Sequence, residues 1–413
     1  MEEWKSYKLG DIVKICSGLA YKADYLGHGD AILLGMGCVS FTDKFLKKGA
    51  RSYNGESEDR FIVKPGDIVL ATRQQSDNLP ILGMPAIIPE EYQSKRLIAG
   101  SNLYIIRNES DIDNRFLYWL FKTPAYINHI SSCKTGTTVS MITKKDIESF
   151  EFSCPGKEER KRISDFLWSI EDKIDLNNRI NHNLEEQAQA IYKSWFTDFE
   201  PFKDDKFVDS ELGMIPEGWK VASLDSLCSI ISRGFSPKYN DESDDLVLGQ
   251  RCVRNNLIDI SIARRHIPKN LGERELKKWD ILINSTGFGS LGRVAQIYFT
   301  PNRLTFDSHL TLVRSKEEFS KQYIGRNLLS RQDEIENLAV GSTGQTELPR
   351  ERVKALPIIV PTNDVMTSFG KKIKALNELI QRNIEANIIL QKGRDELLPR
   401  LMTGCCRLAN NAI

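Results

Sequence analysis

The sequence predicts an α+β fold in which two similar domains, each a mainly antiparallel sheet plus helix, are joined by two long helices forming an antiparallel coiled coil. Three observations carry this expectation. The chain repeats itself in order at an offset of about two hundred residues, each repeat opens with short strand-like runs, and each closes on heptads of apolar spacing.

The repeat is visible by eye. Trp4-Lys5 lies over Trp219-Lys220, and ILLGMGCVS (Ile32 to Ser40) lies over LVLGQRCVR (Leu246 to Arg254). Asp67 of FIVKPGDIVLATR falls on Asp280 of RELKKWDILINSTG, Gly83 on Gly292, and Arg107 on Arg314. The loop Lys134 to Thr138 meets Ser342 to Thr346, and Pro155 meets Pro361. The offset drifts from 215 to 206, always at polar, loop-like stretches, as expected of two copies diverging by small insertions and deletions. Coincidental strand patterns would give isolated matches rather than an ordered series.

Within each copy, β-branched runs bounded by turn residues, such as Asp67 to Leu70 and Leu103 to Ile106, read as strands. A single helical stretch follows, Arg115 to Ile130 in the first copy and Gln322 to Leu338 in the second. A Gly/Thr loop and an apolar run into proline (Phe150 to Pro155, Leu356 to Pro361) complete the domain. The domains are thus expected at 1–155 and 216–361.

Beyond each proline the apolar period becomes helical. In the first copy Ile163, Ile170, Asn177, Leu184 and Ile191 stand seven apart, interleaved with Leu167, Ile174, Asn181, Ala188 and Trp195. In the second, Phe369, Leu376, Asn383, Leu390 and Leu397 interleave with Ile373, Ile380, Asn387, Arg394 and Leu401. These heptads predict a central helix over 156–200, a linker at 201–215 and a C-terminal helix over 362–404. Packing on each other buries both apolar stripes, and two central Asn layers fix the register, because a slip leaves buried amides unpaired. A two-fold repeat favours antiparallel pairing. The central helix would run about 55 to 60 Å at 1.5 Å per residue, more than the roughly 34 to 36 Å of one DNA turn.

Composition sets the compartment and excludes several classes. With 40% hydrophobic and 27% charged residues and a mean hydropathy of −0.36, the chain is expected to pack throughout. Lys and Arg number 57 against 56 Asp and Glu, so charge alone does not announce nucleic acid. The eight cysteines show no C-x-x-C spacing, which argues against zinc or a disulfide framework and points to a reducing cytoplasm. The N-terminus lacks a signal pattern, and no run approaches the ~18 to 20 apolar residues of a membrane span, so no membrane association is expected.

Catalytic motifs are missing. GFGSLG (Gly287 to Gly292) fits G-x-G-x-x-G after a strand, but RVAQIYF follows it and reads as β where a dinucleotide fingerprint needs a helix; a β-turn is the better reading. There is no phosphate loop and no Asn/Asp-Pro-Pro-aromatic segment of an amino-methyltransferase. The histidines (28, 129, 182, 266, 309) lack ligand spacing and read as structural or surface residues. No catalytic residue, metal site or cofactor is expected in this chain.

AIYKSWFTDFEPF (Ala190 to Phe202), ELGMIPEGWKVASL (Glu211 to Leu224), DILINSTGFGSLGRVA (Asp280 to Ala295) and ELLPRLMTG (Glu396 to Gly404), in this order, resemble the specificity subunit of type I restriction-modification systems over essentially the whole chain. The resemblance implies two target-recognition domains, each reading one half of a bipartite, asymmetric site in double-stranded DNA. It also implies helices that dock two modification subunits that methylate adenine, with restriction subunits in the full complex. S-adenosylmethionine, ATP and Mg would then belong to the partner subunits. The first copy departs from the pattern, with KSWFTDF where the second has PRLMTG. A self-contained methyltransferase or nuclease, or a coiled-coil protein adaptor, are the rival readings.

Direct readout needs paired donors and acceptors at base edges. In the first domain the candidates are Arg73, Gln74, Gln75 and Ser76 after a strand, and Lys134, Thr135, Thr137 and Thr138 in the Gly/Thr loop. The second domain offers Gln250, Arg251 and Arg254, then Ser285, Thr286 and Arg293, and Ser342, Thr343, Gln345 and Thr346. These positions differ between copies while the flanking scaffold matches, as expected if each copy reads a different half-site. Thirteen arginines in 216–361 against six in 1–155 point to a more guanine-rich second half-site.

Overall fold

The computed structural model describes residues 4–74, 80–136, 139–287, 289–341 and 346–408. The chain forms two compact units, Met1–Asp172 with Lys392–Ile413, and Lys173–Gln391.

In the first unit a four-stranded sheet is built from β1 (Val13–Ser17), β2 (Ile68–Ala71), β3 (Pro85–Ile87) and β4 (Leu103–Asn108) in the order β1-β4-β2-β3, all neighbours antiparallel. All four residues of β2 are buried, which is why Ile-Val-Leu-Ala runs apolar without alternation. A second sheet joins Ala50–Tyr53, Leu26–Leu34, Leu97–Ala99 and Ile62–Val63, with Leu26–Leu34 parallel to Leu97–Ala99. Lys5–Lys8 pairs antiparallel with Glu151–Cys154, bringing the domain's start to its end, where the first long helix (Lys157–Phe196) begins.

The second unit repeats this plan. Strands β5 (Cys228–Arg233), β6 (Ile281–Asn284), β7 (Val294–Gln296) and β8 (Leu310–Ser315) lie in the order β5-β8-β6-β7, the same topology as the first sheet. Leu246–Leu248 runs parallel to Leu304–Phe306, and Lys220–Ser223 closes antiparallel on Pro357–Val360. Residues that coincide in the two repeats make the same contact in each. Asp67 pairs with Arg107 at 3.1 Å, and Asp280 receives Arg314 Nε and Nη2 at 2.7 and 2.6 Å. A Cβ at Gly18 would stand 2.1 Å from the Gly100 carbonyl, and at Gly234 2.2 Å from that of Asp307, so neither crossing admits a side chain.

The single helix expected in each domain is two. In the first, α1 (Asn114–Leu120) stops before α2 (Pro124–Cys133), because Thr123 caps α2 through Tyr126 N and Pro124 has no N–H to continue a helix. In the second, α3 (Lys321–Ser330) and α4 (Gln332–Asn337) part at Arg331, whose backbone leaves the helical region (φ −116°, ψ 24°) as Nη1 reaches the Pro357 carbonyl.

The two domains fasten to the long helices by different chemistry. In the first unit Trp119, 1% exposed, and Tyr118 pack on Trp168 of the first long helix with ring centroids 6.0 and 5.3 Å apart. That core also takes Ile163 and Leu167 of the first long helix and Leu398, Leu401 and Met402 of the second (Asn363–Met402). In the second unit Arg326 stands where the repeat places Trp119. Its guanidinium, 1% exposed, donates to Glu185 at 2.6 and 3.1 Å, to Tyr298 Oη at 2.5 Å and to Asn377 Oδ1 at 3.1 Å. One side chain thus ties α3 to both long helices.

Candidate nucleic-acid interface

In each unit the end of a core strand, the turn preceding the next and the Gly/Thr loop converge. In the first, Arg73–Gln74 pairs with Ser140–Met141, Thr135 exchanges backbone hydrogen bonds with Met141, and Thr72 N donates to Asn102 O at 3.0 Å. Arg73, Lys134 and Thr135 are exposed at this edge. In the second, Thr286 bridges to Glu347 beside exposed Thr346, and Ser285 N donates to His309 O at 2.9 Å. Arg233 braces the edge, with Nη1 on the Ser308 carbonyl at 3.0 Å and Nη2 on Leu348 O and Glu347 Oε1 at 2.7 and 2.9 Å.

Three of the candidate readers are redirected by the fold. Gln74 is 7% exposed and its Oε1 accepts from Leu82 N at 3.2 Å, so it anchors its own loop. Ser285 is fully buried just past the end of β6, its hydroxyl 2.6 Å from Thr311 Oγ1 on the neighbouring strand. Arg254 donates from Nε to the Arg251 carbonyl at 3.0 Å and faces Asp259 at 3.8 Å, a local brace. Thr286, Gln250 and Arg251 are half-buried at the edge, and exposed Arg293 donates to the Gly289 carbonyl at 2.8 Å. Gln75, Ser76, Thr137, Thr138, Ser342, Thr343 and Gln345 lie outside the described residues.

Gly287 explains the glycine-rich segment. With φ +102° and a Cβ position only 2.4 Å from Gln250 Oε1, it makes room for the Gln250 carboxamide. Buried Asn284 holds the same loop, its Nδ2 donating to the Gln250 and Ser290 carbonyls at 2.9 and 3.0 Å. Sequence reading missed Asn102 and His309, which occupy equivalent places at this edge. The signal was there, since both follow a serine and precede matched strands while differing from one another. Beneath His309, burial raises the Asp307 carboxyl above the usual carboxylate range, opposed by the His309 N–H and ring.

The long helices pair antiparallel in the second unit through amides. Asn177 Nδ2 donates to Asn387 Oδ1 at 2.7 Å, Asn383 Nδ2 to Asn181 Oδ1 at 2.8 Å, and Asn387 Nδ2 to Asn178 Oδ1 at 2.8 Å. Ile174, Leu184, Ile373 and Ile380 are buried with them, as is Phe369. Ile170, Leu376 and Leu390 are only half-buried; Glu171 and Asn377 take the neighbouring inward places. In the first unit Glu171 pairs with Arg394, and the nearby Lys122 ammonium is pushed down to about 8 by burial, with Glu171 opposing and Arg394 adding to the shift.

The model of the type I restriction modification DNA specificity domain matches twice, over residues 1–186 and 216–388. The chain belongs to this family. Across the family, the specificity subunit of the MjaIX enzyme of Methanocaldococcus jannaschii is 23% identical, covering 98% of this chain and 94% of its own. The HindI specificity subunit of Haemophilus influenzae is likewise 23% identical, covering 98% and 100%. Among solved structures, the type I specificity subunit from M. genitalium matches with a TM-score of 0.52 at 14% identity, over 97% of this chain and 96% of that one, and shows the shared fold. Among the described residues no cluster of His, Cys, Asp and Glu could hold a metal ion, and no helix is long and apolar enough to cross a membrane.

Proposed function

We propose that this specificity-family chain is the non-catalytic DNA-recognition subunit of a type I restriction-modification complex in the cytoplasm, each domain reading one half of a bipartite, asymmetric site. The observation that carries the reading is the repeated edge: one sheet topology used twice, with Met36, Arg73 and Asn102 in one copy where the other has Gln250, Thr286 and His309. An identical frame carrying different side chains suits two readers of different sequences.

The helix pair would set the spacing between half-sites and dock two modification subunits. Ile389, 73% exposed, and Leu176, 42% exposed, lie on the two long helices near the Asn layers, exposed apolar side chains available to a protein partner. S-adenosylmethionine would be held by the modification subunits, and ATP with Mg by restriction subunits.

The test is methylation-site sequencing. DNA exposed to the full chain with its modification subunits should carry modified adenines at one bipartite motif, and replacing the second domain by that of another family member should change one half of it only. Methylation indifferent to sequence would refute the proposal.

A further inference from the structure

In the second domain, side chains from three separate segments form a hydrogen-bonded chain at the edge described above. Thr286 Oγ1 lies 2.7 Å from His309 Nδ1 and 3.3 Å from Gln250 Oε1. A threonine hydroxyl has one proton to give, and a carboxamide oxygen can only accept. The proton therefore goes to Gln250 Oε1, and His309 must donate from Nδ1–H to the hydroxyl oxygen. This fixes both ends of the chain. Gln250 keeps its Nε2 donors, and in the neutral form of exposed His309 the Nδ1–H tautomer that the chain requires presents Nε2 as an acceptor.

We propose that Gln250 and His309 together read one base pair of the second half-site, with Thr286 as the positioning residue, and that the edge they fit is an acceptor beside a donor. Adenine presents that pair in the major groove as N7 and N6–H. The inference rests on the reading that this domain contacts DNA. Its support is the construction around the chain, none of which the bare loops require. Gly287 leaves space for the carboxamide, Asn284 fixes the Gln250 backbone, and Asp307 Oδ1 accepts from His309 N at 2.9 Å. The first domain has the same backbone junction, Thr72 N to Asn102 O, but Met36 and Arg73 stand where the chain would need Gln250 and Thr286. The device therefore belongs to the second half-site.

The test uses the full chain with its modification subunits, selecting duplexes from a library randomised at both half-sites. Wild type should prefer adenine at one position of one half-site by about ten-fold or more, the scale of a single base contact. His309→Ala and Thr286→Val should both lose that preference at that same position, leaving the rest of the half-site and the whole other half-site unchanged. His309 is exposed, and Thr286→Val exchanges a hydroxyl for a methyl of similar size, so thermal unfolding should match wild type. An unchanged preference in either variant, an even loss across all positions, or a base other than adenine at the shared position overturns the inference. If wild type selects no bipartite sequence, the DNA-reading proposal itself falls.

Discussion

Replacing Arg326 by Met tests how the second domain is held. The side chain is 1% exposed and its partner Glu185 3%, with two hydrogen bonds between them and two more to Tyr298 and Asn377. Met keeps most of the apolar stem but removes the guanidinium, so the Glu185 carboxylate is left buried without its counter-charge. Breaking a buried pair from one side costs about 3–5 kcal/mol, because the orphaned charge retains its desolvation penalty. For a unit of this size each kcal/mol shifts the midpoint by about 2–4 °C, so a fall of roughly 6–20 °C is expected. Urea and thermal unfolding followed by circular dichroism would read it. Adding Glu185→Leu removes the stranded charge and should restore much of the loss. A single variant within about 1 kcal/mol of wild type, or a double variant no more stable than the single, would refute the reasoning.

Asn387→Leu should destabilise the helix pair by about 1–3 kcal/mol, since Asn177, 1% exposed, loses its acceptor; denaturant midpoints check this. Lys122→Met should stabilise the first unit at pH 7. The folded state holds the Lys122 ammonium down to about 8 through burial, whereas the unfolded chain keeps it protonated to higher pH, so wild-type stability rises as pH passes from about 8 towards 10.5 and the variant lacks that rise. Gly287→Ala should displace Gln250 and weaken selection of the second half-site while leaving the first intact, as read by site selection. Asp280→Asn should destabilise the second unit by more than Asp67→Asn destabilises the first, because Asp280 is 2% exposed with two short bonds to Arg314 whereas Asp67 is a quarter exposed; paired thermal melts compare them.

The repeat makes the architecture legible in the sequence, because insertions fall in loops while strand and helix patterns keep their order. It also aligned Asp67 with Asp280 and Arg107 with Arg314, although matching positions could not reveal that these residues touch one another. The heptad reading placed the Asn layers but slipped elsewhere. A nearly straight helix turns 3.6 residues per turn and drifts by about 20° per heptad, so Glu171, Tyr192, Phe196, Asn377 and Leu398 are buried beside the positions a strict period of 3.5 selects. The sequence marks these edge positions as a set that differs between the repeats, and does not say which side chains face outward. Gln74 and Ser285 look like readers in sequence, and only the direction of their side chains shows that they serve the scaffold. Spacing tests for metal or catalytic histidines pass over His309, whose contact with Thr286 Oγ1 depends on segments far apart in sequence.

The contrast between Trp119 and Arg326 bears on how a duplicated protein avoids assembling with itself wrongly. After a tandem duplication each domain meets two nearly identical seats on the helices, and nothing but chain connectivity separates a correct docking from an exchanged one. Here the first domain offers an indole to an aromatic seat at Trp168, and the second a cation to the carboxylate of Glu185. An exchanged docking would set Arg326 against aromatic rings without its acceptors and leave Glu185 facing Trp119, stranding a buried charge in both places. The two repeats therefore meet the long helices through contacts that are not interchangeable, an aromatic one at Trp119 and an ionic one at Arg326.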